Sequence, residues 1–400
     1  MGTTAAETGD APDGPAAAPG LAEVARQWGR IGVVGFGGPP AHISLLRELC
    51  VDRRRWIDPV RFEDAIAATN LLPGPASTQL AIYCAWRLRG PVGAVVGGLC
   101  FILPGLVLII ALAALFLSGS PPDWLRGAGA GAGAAVAAVA VDAGARLARP
   151  AWARARGTYR RRLLAYGLLG AVAAATVGPW LVAVLIGCGL VEVAIRRAGA
   201  GRSGLAALLP PAGLLLAAGA ATGGLAALAW TALKVGALSY GGGFVIIPLM
   251  QSDAVDNYGW MTDGQFLNAV ALGQVTPGPV THTVAVVGYA AFGVGGALFA
   301  AAIAFAPSFS FILLGADRFD RLLANRDARA FLHGAGPAAI GAILGSTIPL
   351  AMALGEPWQV AVLAGAAVAL FAARLGVVAT LLAAGAVGAV AGLLGAPLPT

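Results

Sequence analysis

The sequence has 400 residues, of which 58% are hydrophobic and only 11% are charged. This balance excludes an ordinary soluble domain, in which about a quarter of the residues are charged. The formal net charge of +7 lies in short basic loops between apolar stretches, which is typical of cytoplasmic loops rather than of a nucleic-acid-binding surface. We therefore predict an all-α polytopic membrane protein that contacts the lipid bilayer and binds no nucleic acid.

Residues 1–20 form a distinct N-terminal stretch. They are rich in Ala, Pro and Gly and carry three acidic residues but no Lys or Arg. This composition is unlike the basic start of a signal peptide and predicts a disordered tail.

Two related halves follow the tail. At an offset of 204 residues, Trp56 aligns with Trp260, and the Pro-Gly-Pro string at 73–75 (the first PGP string) aligns with the one at 277–279 (the second PGP string). The predicted parts of the chain are a first repeat at 21–200, a connecting transmembrane segment at 201–228 and a second repeat at 229–400.

Each half is predicted to contain two interrupted helices. In the first half Arg30 leads into the glycine pair at 37–38, and in the second half Lys234 leads into the pair at 241–242. A PGP string follows in each half. Proline removes a backbone donor and glycine adopts positive φ, so a helix should stop and restart at both places.

Several local patterns give structural expectations. Asp58 and Thr262 are predicted N-caps of the helices that lead into the PGP strings. Alternating Gly and Ala over 127–133 predicts close helix packing. Asp142 and Glu192 each lie four residues before an arginine near a helix end and are predicted to pair with it. A break near residues 178–179 should divide the apolar stretch 163–195 into two helices.

The charges of the loops predict that the halves have opposite orientations. Loops 47–61 and 146–162 carry five and seven arginines, so both should be cytoplasmic. Two long apolar stretches already lie between these loops, so the first PGP string must form a re-entrant hairpin rather than a single crossing. Loop 251–265, the counterpart of 47–61, has three aspartates and no Lys or Arg, as expected outside. An inverted-topology repeat places its substrate site near the bilayer midplane.

The four breaks are predicted to surround one anion site. Backbone N–H groups at the start of a half-helix attract anions, and hydroxyls follow both PGP strings at Ser77, Thr78, Thr281 and Thr283. His282 lies among them, where it could relay protons or act as a structural donor.

Two cations accompany these hydroxyls. Arg30 and Lys234 occupy equivalent positions, and Lys234 is the only lysine of the chain. Together they would balance a dianion, because charges at membrane depth usually line a functional cavity. The alternative is that one or both side chains extend to a membrane surface.

The residues give no indication of an enzyme. Four scattered cysteines, three histidines and the lack of a nucleotide-binding motif predict no catalytic residues, no metal and no cofactor. A membrane-embedded enzyme remains the alternative from a different class.

Three strings resemble the chromate ion transporter family in its long, two-domain form. They are FGGPPAHI from Phe36, LLPGPASTQ from Leu71 and TPGPV from Thr276. The resemblance implies export of chromate from the cytoplasm by a secondary transporter of the plasma membrane, with sulfate as a competitor and chromate resistance as the result. Transport of sulfate or another small anion is the nearest alternative, and a homodimer is a further expectation. The chain departs from the family at Thr69 and Asn70, so the resemblance does not say which polar groups line the site before the first PGP string.

Residue chemistry and resemblance together give one set of candidate substrate-binding residues. They are Arg30, Phe36, Gly37, Gly38, Pro73, Gly74, Pro75, Ser77, Thr78, Gln79, Lys234, Tyr240, Gly241, Gly242, Pro277, Gly278, Pro279, Thr281, His282 and Thr283.

Overall fold

A computed structural model describes residues 18–70, 72–117, 119, 121–176, 181–199, 223–239 and 244–399. Over these residues the secondary structure is helical and contains no strand, which confirms the all-α prediction. The tail at 1–17, the break at 178–179, most of the connecting segment and the candidates Tyr240, Gly241 and Gly242 lie outside the described residues.

The helices fall into two similar series. In the first half they are α1 Leu21–Val34, α2 Pro39–Arg47, α3 Pro59–Thr69, α4 Ala76–Phe116, α5 Asp123–Ala134, α6 Val136–Arg154, α7 Thr158–Thr176 and α8 Leu181–Gly199. In the second half they are α9 Gly224–Leu238, α10 Ile246–Gln251, α11 Asp263–Val275, α12 Thr283–Gly315, α13 Phe319–Ala324, α14 Arg326–Gly345, α15 Thr347–Met352, α16 Pro357–Phe371 and α17 Val377–Leu393.

The structural repeat agrees with the sequence repeat. Both α2 and α10 continue into a π-type turn, Glu48–Arg53 and Ser252–Asn257, and these two turns are 204 residues apart. The stretch 163–195 forms the two helices α7 and α8, as predicted. Among the described residues, four helical stretches are long and apolar enough to cross a membrane, namely Ala76–Phe116, Asp123–Arg154, Val280–Arg318 and Arg326–Met352.

The predicted N-caps are confirmed. Asp58 accepts hydrogen bonds from the backbone N–H groups of Val60 and Arg61 at 2.9 and 3.2 Å, and starts α3. Thr262 and Gln265 form a reciprocal capping box at the start of α11. Helices α3 and α11 have 11 and 13 residues, or about 16 and 20 Å at 1.5 Å per residue. Neither is long enough to cross a hydrocarbon core of about 30 Å.

Helices α4 and α12 each fold back on themselves after the PGP string. The backbone leaves helical geometry at Arg89 and Gly90 in α4, and at Phe292 and Gly293 in α12. Gly90 has φ 61° and ψ −154°, and Gly293 has φ 62° and ψ −153°. A near-identical break therefore follows each PGP string. The two breaks are 203 rather than 204 residues apart, because the second half has one residue fewer between its PGP string and its break.

The two arms of each folded helix pack on each other. In α4 the Cα of Gly93 approaches the carbonyl of Ala85, and in α12 Gly296 and Gly288 approach each other in the same way, so closely that a Cβ would collide. The first arm of each is short, like α3 and α11 before it. Two short helices joined by a PGP string match the predicted re-entrant hairpin.

The two halves interleave. Helix α5 packs along α17, and α14 packs along α7 and α8. Gly127 and Gly131 of α5 meet the backbone of α17 around Gly388, and Gly341 of α14 meets Gly167 of α7. The predicted close packing of the Gly/Ala stretch is confirmed, and small residues let these backbones approach without intervening side chains.

One of the two predicted helix-end ion pairs is wrong. Asp142 pairs with Arg146 at 2.7 Å, as predicted. Glu192 instead binds Arg162 at 3.1 Å and the Tyr166 hydroxyl at 2.9 Å. The carboxylate of Glu192 faces α7, whereas the arginine one turn later, Arg196, faces the start of α14 and pairs with Asp327.

Candidate substrate site

The first PGP string lies against the second half. Gly74 has φ 116°, a left-handed conformation that favours glycine. A Cβ on Gly74 would lie 3.0 Å from the carbonyl oxygen of Gly236 in α9 and 3.5 Å from Oγ of Ser308 in α12. Pro73 accepts a 2.7 Å hydrogen bond from Nε2 of Gln79, and Pro75 precedes the first residue of α4.

The second PGP string lies against the first half. Gly278 has φ 95°, and its N–H donates a 3.0 Å hydrogen bond to the carbonyl of Gly35 at the end of α1. The carbonyl of Pro277 approaches Gly105 of α4 so closely that a Cβ there would collide with it. Pro279 leads into the short 3₁₀ turn Val280–His282. Each PGP string is thus held by the opposite half of the chain.

The first glycine pair is also part of this contact. Gly37 and Gly38 have φ 98° and 72°, and α2 begins immediately after them. A Cβ on Gly38 would lie 3.9 Å from Val280, which follows the second PGP string. The side chain of Phe36, by contrast, is 46% exposed and does not point into the buried contact.

His42 is a site residue that sequence reasoning missed. Its Nε2 lies 2.9 Å from the carbonyl oxygen of Gly35, and its Nδ1 lies 3.2 Å from Oγ of Ser77. The imidazole therefore joins the end of α1 to the helix start after the first PGP string. The available signal was its position one helical turn after Gly38, inside the string that begins at Phe36.

Hydroxyls of the second half are buried at the equivalent place. Thr281 and Thr283 are each 1% exposed. Oγ1 of Thr281 lies 3.5 Å from Oγ of Ser239, and Thr283 donates a 2.8 Å hydrogen bond to the Val280 carbonyl.

Buried polar atoms without a hydrogen-bond partner gather around both PGP strings. Among the described residues they include Oγ1 of Thr78, Oε1 of Gln79, Nε2 of Gln274, both ring nitrogens of His282 and Oγ of Ser308. The Ile102 carbonyl lies near the His282 ring but does not meet hydrogen-bond geometry. Most buried polar groups in proteins are paired, so these donors and acceptors are candidates for hydrogen bonds to a polar ligand or water.

The two predicted cations have different environments. The side chain of Arg30 is exposed and has no ion-pair partner among the described residues. Lys234 is 6% exposed, and its Nζ lies 2.5 Å from Oδ2 of Asp253. The structure therefore brings Lys234, but not Arg30, into the protein interior. Asp253 was missed as its partner because the two residues are on different helical elements.

The site offers hydroxyl, amide and imidazole groups inside an apolar helix bundle. In the part of the chain that the structure describes, no cluster of His, Cys, Asp or Glu could hold a metal ion. Broken helices with buried polar groups, repeated in two interlocking halves of an apolar helix bundle, are typical of polytopic membrane transport proteins.

Comparison with known proteins identifies the family. The family model described as Chromate transporter matches residues 22–193 and 226–389. The chain belongs to the chromate transporter family.

Curated relatives agree with this assignment. The chain is 33% identical over 346 residues to a chromate transport protein of Pseudomonas aeruginosa, covering 82% of this chain and 80% of the relative. It is 32% identical over 335 residues to a chromate transport protein of Cupriavidus metallidurans, covering 80% of each. A probable chromate transport protein of Synechococcus elongatus is 28% identical, with 82% of this chain and 84% of the relative covered. No solved structure matches.

Proposed function

We propose that the protein is a secondary transporter that exports chromate from the cytoplasm across the plasma membrane and thereby confers chromate resistance. The observation that carries the proposal is the group of unpaired, buried polar atoms around the two PGP strings. A tetrahedral oxyanion presents four acceptor oxygens. These suit hydroxyl, amide and imidazole donors, together with the backbone N–H groups at the starts of the half-helices. The names of the relatives support chromate as the anion.

The same site would accept sulfate or another small anion of similar shape, which is the second candidate. Neither needs a cofactor. An enzyme is less well supported, because the curated relatives are named as transport proteins. Both half-sites lie in one chain, so a homodimer is not needed to complete the pocket.

Everted membrane vesicles that contain the protein should accumulate chromate. Accumulation is compared with vesicles lacking the protein, under imposed membrane potentials and pH gradients. If the two preparations take up equal chromate under every gradient, the proposal is wrong. Competition by sulfate in the same assay distinguishes the second candidate.

Ser308→Ala tests the pocket with a matched control. Ser308 is fully buried without a hydrogen-bond partner among the described residues, whereas the equally buried Ser346 donates a 2.8 Å hydrogen bond to Ile343. Loss of a hydrogen bond to a charged ligand costs about 1.5–3 kcal/mol, so we expect Ser308→Ala to weaken chromate binding about tenfold or more and to leave the melting temperature unchanged or raised.

Ser346→Ala should do the reverse. It removes an internal hydrogen bond worth about 1 kcal/mol and should lower the melting temperature while chromate affinity is kept. Equal effects of the two substitutions on affinity would contradict the placement of the pocket.

A further inference from the structure

The ion pair of Lys234 and Asp253 is unusual in its burial. Lys234 is the only Lys or Arg that is buried among the described residues, and Asp253 is 2% exposed. Charged groups buried inside a protein are costly unless they are paired, and buried ionisable groups are enriched at functional sites. The burial of this pair therefore needs an explanation, and a functional role is one candidate.

The carboxylate of Asp253 is well coordinated. Oδ2 receives Lys234 at 2.5 Å and the hydroxyl of Thr231 at 2.7 Å. Oδ1 receives Nδ2 of Asn257 at 3.3 Å. The ammonium group also lies 5.6 Å from the ring centroid of Trp230. In this structure Asp253 thus acts as the internal counter-ion of the buried Lys234 ammonium group.

The first half has no such pair at the equivalent positions. At the offset of 204 residues, Leu49 takes the place of Asp253 and is buried in the core at 5% exposure, and Arg30 takes the place of Lys234 with an exposed side chain. A buried ion pair is often no more stabilising than a well-packed apolar pair. A role for the charges is therefore better supported than a purely structural one.

The lysine of the pair is on the helix that contacts the candidate site. Lys234 is two residues before Gly236, whose carbonyl packs on Gly74 of the first PGP string. The lysine side chain is long and flexible, and its ammonium would be available to an anion if Asp253 were neutral.

We propose that Asp253 is a proton-linked counter-ion that competes with the transported dianion for Lys234. A proton from water binds the carboxylate, which frees the ammonium group for the dianion. Loss of that proton restores the ion pair and releases the anion. No covalent bond to the anion forms or breaks. This inference rests on the proposed function of the site.

Other titratable groups lie near the pair, and the experiment must distinguish their proton binding from that of Asp253. Tyr258 and Asp256 are on the same turn, and Asp263 starts α11. Burial, and then the negative charge of Asp253, raise the pKa of Tyr258, and burial followed by Asp263 raises the pKa of Asp256. Asp256 is exposed and supplies a matched control carboxylate three residues from Asp253.

The test measures proton uptake on chromate binding by the purified full-length protein. A weakly buffered solution with a pH indicator is used at alkaline pH, where chromate is itself the dianion. By linkage, we expect wild-type protein to take up about one proton per bound chromate. Asp253→Asn should bind chromate without proton uptake, and Asp256→Asn should behave as wild type.

Each outcome decides between the two claims. Chromate binding by wild-type protein without proton uptake, or wild-type uptake by Asp253→Asn, overturns the inference alone. Absence of chromate binding by wild-type protein overturns the proposed function and the inference with it. If Asp253→Asn fails to fold, an absence of proton uptake by the wild-type protein still overturns the inference. The neutral pair Lys234→Gln with Asp253→Asn should then fold and lose chromate binding.

Discussion

At the scale of single residues, the two buried histidines have opposite environments. His42 uses both ring nitrogens to join Gly35 and Ser77. His282 leaves both ring nitrogens without a hydrogen-bond partner in the described part of the chain. The sequence drew attention to His282, which follows a PGP string. For His282 the sequence suggested either a proton relay or a structural hydrogen-bond donor. It is His42 that has the structural role.

The residues that sequence could predict are those whose conformation is set locally. The glycine of each PGP string and both glycines of the first pair have the positive φ values that the sequence predicted. Ser308 and Asp253 escaped notice because their significance depends on contacts made across the chain. Ser308 lies near Gly74 of the other half, and Asp253 reaches a lysine on another helix.

Gly105 provides a residue-scale prediction about the contact between halves. A Cβ on Gly105 would collide with the carbonyl of Pro277, whereas one on Gly295 would meet nothing within 4 Å. Overpacking costs about 1–3 kcal/mol, so Gly105→Ala should lower the melting temperature in detergent and the rate of chromate uptake. Gly295→Ala, in an equally helical position, is the control. Equal melting temperatures for the two variants would show that the structure accommodates a methyl group between Gly105 and Pro277 without loss of stability.

At the scale of elements, the folded helices α4 and α12 are the main feature that the sequence did not reveal. The caps of α3 and α11 were predictable because capping depends on residues three apart. The break at Gly90 lies in a long apolar run, and Gly is common in membrane helices for packing alone. Its recurrence at Gly293 was hidden by the change of offset from 204 to 203.

Substitution at these breaks tests their conformation independently of packing. No atom lies within 4 Å of a Cβ built on Gly90 or Gly293, so steric crowding predicts no effect. Their φ and ψ are nevertheless essentially restricted to glycine, at a cost of about 1–3 kcal/mol for other residues. We expect Gly90→Ala and Gly293→Ala each to lower the melting temperature, again relative to Gly295→Ala. A variant as stable as the control would mean that the chain bends without this conformation.

At the scale of the whole molecule, composition alone identified the class, and the repeat identified the pairs of equivalent helices. How the halves combine was beyond the sequence. The Gly/Ala stretch of α5 predicts close packing but does not say that the partner is α17, some 250 residues later. The orientation of each half in the bilayer stays a prediction from loop charge.

Opposite orientation can be measured by cysteine labelling. In a variant lacking the four native cysteines, a single cysteine is introduced at Val60 or Asp256, both of which are exposed. A membrane-impermeant thiol reagent added to intact cells should label Asp256→Cys and leave Val60→Cys unlabelled. Everted vesicles should give the reverse. Labelling of both from the same side would refute the inverted repeat.

The mutual support of the PGP strings constrains how the transporter can work. The second string hydrogen-bonds to Gly35 at the end of α1 and the first packs on α9, so a movement of one half-site should be transmitted to the other. We therefore expect the two half-sites to move together, so that opening towards one compartment would be coupled to closing towards the other.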